Sequence, residues 1–115
     1  MKRLDRLDIA TSDLEDAAST YRRSFGFEVR KSSDGNSATI AIGGAEITLK
    51  SVAPGVAEGM AALWLEAEDV DQVVAALKQA GIASAPPRRE NGRRILAIDP
   101  KVANQVPLFI FDRKP

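Results

Sequence analysis

The stretch Leu4–Val29, LDRLDIATSDLEDAASTYRRSFGFEV, decides the fold, because it reads as a strand, a capped amphipathic helix and the entry to a second strand. Ser12 followed by Glu15 has capping-box spacing: the serine oxygen can accept from the backbone three residues on while the glutamate reaches back. The helix is therefore expected to begin near Asp13. Leu14, Ala17, Ala18, Tyr21 and Phe25 then fall on the i, i+3, i+4, i+7 spacing of one buried stripe, and Gly26 can adopt the left-handed conformation that ends it. The segments FEVRKS, SATIAI and AEITLK follow, alternating or running apolar and separated by the turn signals DGN and GG, so an antiparallel meander is expected.

The second half repeats this order. LWLEAEDVDQVVAALKQAGI gives a strand, then Asp69 with Gln72 at capping-box spacing, then Val70, Val73, Val74 and Leu77 on one helical face, and Gly81 as the stop. Leu7 maps to Leu63, Asp13 to Asp69 and Ile42 to Ile98, each 56 positions on. AEITL corresponds to VPLFI only once the loop DPKVANQ replaces the GG hairpin. The expectation is an α+β fold: one domain over 1–115, built from two β-α-β-β-β modules at about 4–51 and 60–113, with SVAPGVAEG as the connector.

Composition narrows the chemistry. A chain of 115 residues is the size of one ordinary domain, and sixteen Lys and Arg balance sixteen Asp and Glu, so no charge steers it towards nucleic acid or an anionic membrane. The cluster PPRRENGRR, with Arg88, Arg89, Arg93 and Arg94, reads as a solvated hairpin in preference to a phosphate site. There is no cysteine, hence no disulfide framework, thiolate nucleophile or zinc-thiolate site. The opening MKRLDRLD has no apolar run behind it and no window reaches the length of a membrane span, so a soluble cytoplasmic protein is expected.

Three segments in this order, DIATSDLEDAASTYRRSFGFEV, GMAALWLEAEDVDQVVAALKQAGI and DPKVANQVPLFIFDR, resemble the vicinal oxygen chelate superfamily, the glyoxalase and bleomycin-resistance fold, and are most similar to its methylmalonyl-CoA epimerase branch. The resemblance covers essentially the whole chain. It implies two modules whose mostly antiparallel, curved sheets form a cup, and enzymes of the family hold a divalent metal there with His, Glu or Gln. Carried over by position, those ligands fall at Arg6, Thr48, Ala62 and Phe109, none of which matches the pattern. With no histidine in the chain, the expectation is a member without a metal or any other cofactor.

Strand alternation gives the rest of the site. Leu7, Ile9, Leu63, Leu65, Leu108 and Ile110 should pack under the helices. The opposite face then collects Arg6, Asp8, Glu46, Thr48 and Lys50 from the first module and Ala62, Trp64, Glu66, Pro107, Phe109 and Phe111 from the second. Trp64, Phe109 and Phe111 read equally as packing, and Arg6 with Asp8 or Glu66 as an ion pair. As a binding face, Arg6, Asp8, Thr48, Lys50, Ala62, Trp64, Glu66, Phe109 and Phe111 would hold a small, aromatic or planar organic ligand. The alternatives are a lyase, isomerase or dioxygenase using Asp8 or Glu66 as base with Arg6 as its electrostatic partner, or an interaction subunit whose cup is filled. The resemblance also implies a homodimer. No nucleic-acid or membrane partner is expected.

Overall fold

The computed structural model describes residues 1–103 and 105–115. Asn104, within the DPKVANQ loop, lies outside the described residues. Among the described residues eight strands and two α-helices follow in the expected order: β1 (Arg3–Thr11), α1 (Leu14–Ser19), β2 (Arg30–Lys31), β3 (Ser37–Ile42), β4 (Ala45–Ser51), β5 (Gly59–Glu66), α2 (Val70–Gln79), β6 (Arg88–Glu90), β7 (Arg93–Ile98) and β8 (Leu108–Asp112). They form two compact units, Arg6–Ala61 and Met1–Asp5 together with Ala62–Pro115. The first five residues thus group with the second module, where the Lys2 amide donates to the Glu66 carbonyl at 2.7 Å.

In the first unit the strand order is β2-β3-β4-β1, with β1 parallel to β4 and the other pairs antiparallel. The order β5-β8-β7-β6 repeats this in the second, with β5 parallel to β8. Tight turns set the antiparallel registers. Gly43, at φ +58, lies in the two-residue link that puts Ile42 opposite Ala45. Asn91 and Gly92, both at positive φ, put Glu90 opposite Arg93, as a type I′ hairpin requires.

The registers also correct the internal repeat. Leu7 pairs with Ile47 and Leu63 with Leu108, while Ile47 pairs with Ile40 and Leu108 with Ile98. Ile98 is therefore the counterpart of Ile40, not of Ile42: the link from helix cap to strand is two residues longer in the second module. Since side chains alternate with period two, the slip preserves every face.

Each helix covers one face of its own sheet. In the first unit Leu14, Ala38, Ile40 and Leu49 are buried together, with Ile9, Ala17, Tyr21, Phe27 and Ile47 against them. In the second, Val70, Leu96, Ile98 and Ile110 are buried, with Leu65, Val73, Val74, Leu77 and Leu108 packed around them. Each full burial of such an aliphatic side chain contributes about 1.5–3 kcal/mol.

The start of the first helix differs from expectation. Asp13, not Ser12, is the cap: its carboxylate accepts from the Asp16 amide at 3.0 Å. Ser12 instead gives both its amide and its hydroxyl to Glu58 of the connector, at 2.7 and 3.0 Å. Its end differs too, because α1 runs on into a π-helical turn, Thr20–Ser24. The wider turn rotates the following residues, so Phe25 is 59% exposed and Phe27 takes its place in the core. The Phe27 amide donates back to the Tyr21 carbonyl at 3.0 Å across Gly26, at φ +76, and this return shortens the expected FEVRKS strand to Arg30–Lys31. Asp69 caps α2 as the sequence indicates, accepting from the Asp71 amide. Among the described residues, no helix is long and apolar enough to cross a membrane.

Candidate ligand-binding faces

The face of the first sheet turned away from α1 is polar. Cross-strand registers lay Asp8, Thr48, Thr39 and Arg30 in one row, with Arg6, Glu46 and Ala41 in the next. Asp8 is only 3% exposed, yet its carboxylate meets Arg6 Nε at 2.9 Å and Lys50 Nζ at 3.3 Å. A carboxylate this buried is tolerated because the two cations replace its lost hydration. Lys50 keeps about half of its side chain in water (49%), so it can turn a donor towards a ligand. Glu28, Arg30, Thr39, Ala41 and Glu46 line a cleft of about 230 Å³ on this unit. Thr39 and Ala41 were not singled out from the sequence, although the GG turn that sets them opposite Thr48 and Glu46 was legible.

The equivalent face of the second unit is aromatic and filled by its own side chains. Ala62, Trp64, Ile95 and Phe111 are buried in one cluster with Phe109 against it. The Trp64 ring is 8% exposed and stacks on Phe109, with centroids 4.5 Å apart and planes 18° from parallel. Phe111, fully buried, meets Trp64 edge-on at 6.4 Å. The Arg93 guanidinium lies 5.4 Å from the Trp64 ring centroid and 5.0 Å from that of Phe111.

Glu66, at the end of this face, is 4% exposed and meets Arg3 Nε at 2.9 Å, Arg113 Nε at 3.5 Å and Lys2 Nζ at 3.6 Å. The Arg3 hydrogen bond, helped by the charges of Lys2, Arg3 and Arg113, outweighs burial and holds its carboxyl below the ordinary glutamate range. Such a carboxylate is a poor proton acceptor near neutral pH.

The predicted residues thus assemble as two groups, each on its own unit: Arg6, Asp8, Thr48 and Lys50, and Ala62, Trp64, Glu66, Phe109 and Phe111. A further cluster that the sequence reading missed lies at the start of α2. Asp112, fully buried, accepts from the Val70 amide at 2.7 Å and from Arg94 Nη2 at 2.6 Å. Arg94 also reaches Asp69 and Asp71, and Lys114 Nζ meets Asp69 at 2.8 Å. This cluster ties strand β8 to the helix start and faces α2, so it belongs to the architecture.

A divalent metal does not suit these residues. On the first unit the family's ligand positions hold the cation Arg6 and the lone hydroxyl of Thr48. On the second they hold the methyl of Ala62 and the ring of Phe109, neither of which has a donor atom. Among the described residues, no three His, Cys, Asp or Glu side chains come together as a metal-binding group.

Paired β-α-β-β-β modules, each a mixed four-stranded sheet under one helix, define the α+β class to which the chain is assigned. The chain belongs to the glyoxalase/bleomycin resistance protein/dioxygenase superfamily, whose model matches residues 3–112. Comparison with curated proteins gives no match. Among solved structures, a hypothetical protein from Bacillus halodurans C-125 is similar with a TM-score of 0.71 at 18% identity, over 98% of this chain and 95% of that one. The methylmalonyl-CoA epimerase of Mycobacterium tuberculosis is similar with a TM-score of 0.66 at 23% identity, over 97% and 88%. A methylmalonyl-CoA epimerase in complex with methylmalonyl-CoA and NH4+ gives 0.67 at 22% identity, over 97% and 94%. These likenesses establish the fold.

Proposed function

We propose that this chain is a metal-independent, small-molecule-binding member of the superfamily, and that its ligand sits on the polar face of the first unit. The observation that carries the reading is the buried Asp8 carboxylate gripped by Arg6 and Lys50, on the same sheet face as a cleft of about 230 Å³. Drug-sized sites run to about 300–1,000 Å³, so this one suits a smaller molecule. Arg6, Arg30 and Lys50 balance Asp8, Glu28 and Glu46, which favours a neutral or zwitterionic ligand held by convergent hydrogen bonds. The aromatic residues of the second unit are satisfied by one another, so affinity is assigned to polar groups instead of a stack on Trp64. Binding is preferred over turnover because Glu66 is held ionised by its cations and Asp8 is committed to two ion pairs. The same proposal includes a homodimer, supported by the exposed apolar side chains Leu4, Val56 and Met60.

Ligand-observed NMR against a set of small neutral and zwitterionic molecules, amino acids included, tests it. Binding should weaken roughly tenfold in Lys50→Ala or Glu46→Gln and persist in Trp64→Phe. A binder that ignores both polar substitutions but is lost with Trp64→Phe would reverse the assignment, and chemical conversion of the binder would make the chain an enzyme.

A further inference from the structure

The basic motif PPRRENGRR lies outside the cleft of the first unit. Three of its four arginines are occupied. Arg94 is bound by Asp112, Asp69 and Asp71, Arg88 meets Glu90 at 3.3 Å, and Arg89 donates to the Lys114 carbonyl at 3.1 Å. Arg93 has no carboxylate partner among the described residues, and its guanidinium rests against Phe111. The guanidinium of Arg113 rests on the same ring at 5.5 Å. Arg113 shares its one acidic partner, Glu66, with Lys2 and Arg3.

We propose that this edge of the second unit binds a phosphate oxyanion, with Arg93 and Arg113 as its principal donors. Arg93 and Arg113 bring two cations to one ring, while Glu66, the carboxylate that Arg113 meets, is shared with Lys2 and Arg3. Arg113 lines a depression of about 280 Å³ with Lys2, Glu66, Glu68 and Lys114, and the register that sets Arg94 opposite Asp112 and Ile95 opposite Phe111 brings Arg93 alongside Arg113 on the neighbouring strand. Arg113 is open to water, with 59% of its side chain exposed, and Arg93 beside it is half-buried against the aromatic face. A guanidinium over an aromatic ring is weakly held at an exposed site, whereas its planar fork matches two phosphate oxygens at once. The buried Phe111 ring positions both forks in advance. This site shares no residue with the cleft of the first unit and stands or falls without it.

The test is calorimetric titration of the full chain with inorganic phosphate and, separately, with glycerol phosphate at low ionic strength. One saturable site per chain is expected with both. Tighter binding of the ester identifies an organic phosphate as the source, and equal binding identifies free phosphate. Arg93→Ala and Arg113→Ala should each weaken binding roughly tenfold or more, Arg93→Lys less, since it keeps the charge and loses the fork, and Arg22→Ala on the π-helical turn should leave it unchanged. Absence of saturation below about 10 mM for both probes, or unchanged affinity in Arg93→Ala and Arg113→Ala with the fold intact by circular dichroism, overturns the proposal.

Discussion

Replacing Asp112 with asparagine probes a buried charge that accepts hydrogen bonds from Arg94 and from the Val70 and Lys114 amides. Burial alone would raise the pKa of this carboxyl, but hydrogen bonds from Arg94 and from the Val70 and Lys114 amides outweigh it and lower the value from 3.8 to about 2. A shift of that size corresponds to about 2.5 kcal/mol at full strength, and screening on the exposed side of the Arg94 cluster reduces this to about 1–2 kcal/mol. Because the folded-state pKa is depressed, the contribution is present above pH 3.8 and is lost as pH falls towards 2. Asp112→Asn keeps the shape and can still accept from the Val70 amide, while Arg94 retains Asp69 and Asp71. The expected loss at pH 7 is therefore about 1–2 kcal/mol, below the 3–5 kcal/mol of a fully orphaned buried charge. Urea denaturation followed by Trp64 emission at pH 7, 4 and 2.5 measures it. The gap between the two proteins should narrow from pH 4 to pH 2.5. An equal gap at pH 2.5 and pH 7, or a loss below about 0.5 kcal/mol at pH 7, refutes the account of Asp112 as an ionised tie.

Trp64→Ala should cost about 3–5 kcal/mol by emptying the stack on Phe109, and iodide should quench native Trp64 emission only weakly; ready quenching would mean an open aromatic face. Asp13→Ala should lower stability by about 1 kcal/mol, and Ser12→Ala by less, because the Ser12 amide still reaches Glu58; the reverse order would restore Ser12 as the cap. Gly26→Ala should cost about 1 kcal/mol in the same denaturation assay, because φ of +76 is unfavourable for a residue with a Cβ. Sedimentation at micromolar concentration should give a dimer, and a monomer would remove that part of the proposal.

Local rules were enough for most of the architecture. Period-two alternation placed Leu65, Leu108 and Ile110 under α2 and Trp64, Phe109 and Phe111 on the other face, since sidedness needs only the strand itself. Features that depend on a distant partner were not legible. Ser12 has the right spacing for a cap, but Glu58, 46 residues on, claims its amide and hydroxyl, and the role passes to Asp13. A 3.6-residue period put Phe25 in the core, and one π-helical turn moved it out. At the site, the polarity of the first face and the aromaticity of the second were readable from strand parity. The seating of Arg93 on Phe111, and the grip of Arg94 on Asp112, arise between strand neighbours 18 residues apart and required the fold.

Native mass spectrometry of untagged chain, with elemental analysis of the same sample, tests metal-independent binding on the first unit most directly. The account predicts that a small organic molecule selected by the NMR screen adds one ligand mass per chain, with no divalent metal at comparable stoichiometry, and that Lys50→Ala loses this mass. About one zinc, nickel, iron or manganese per chain, or a ligand mass that persists undiminished in Lys50→Ala, would contradict it.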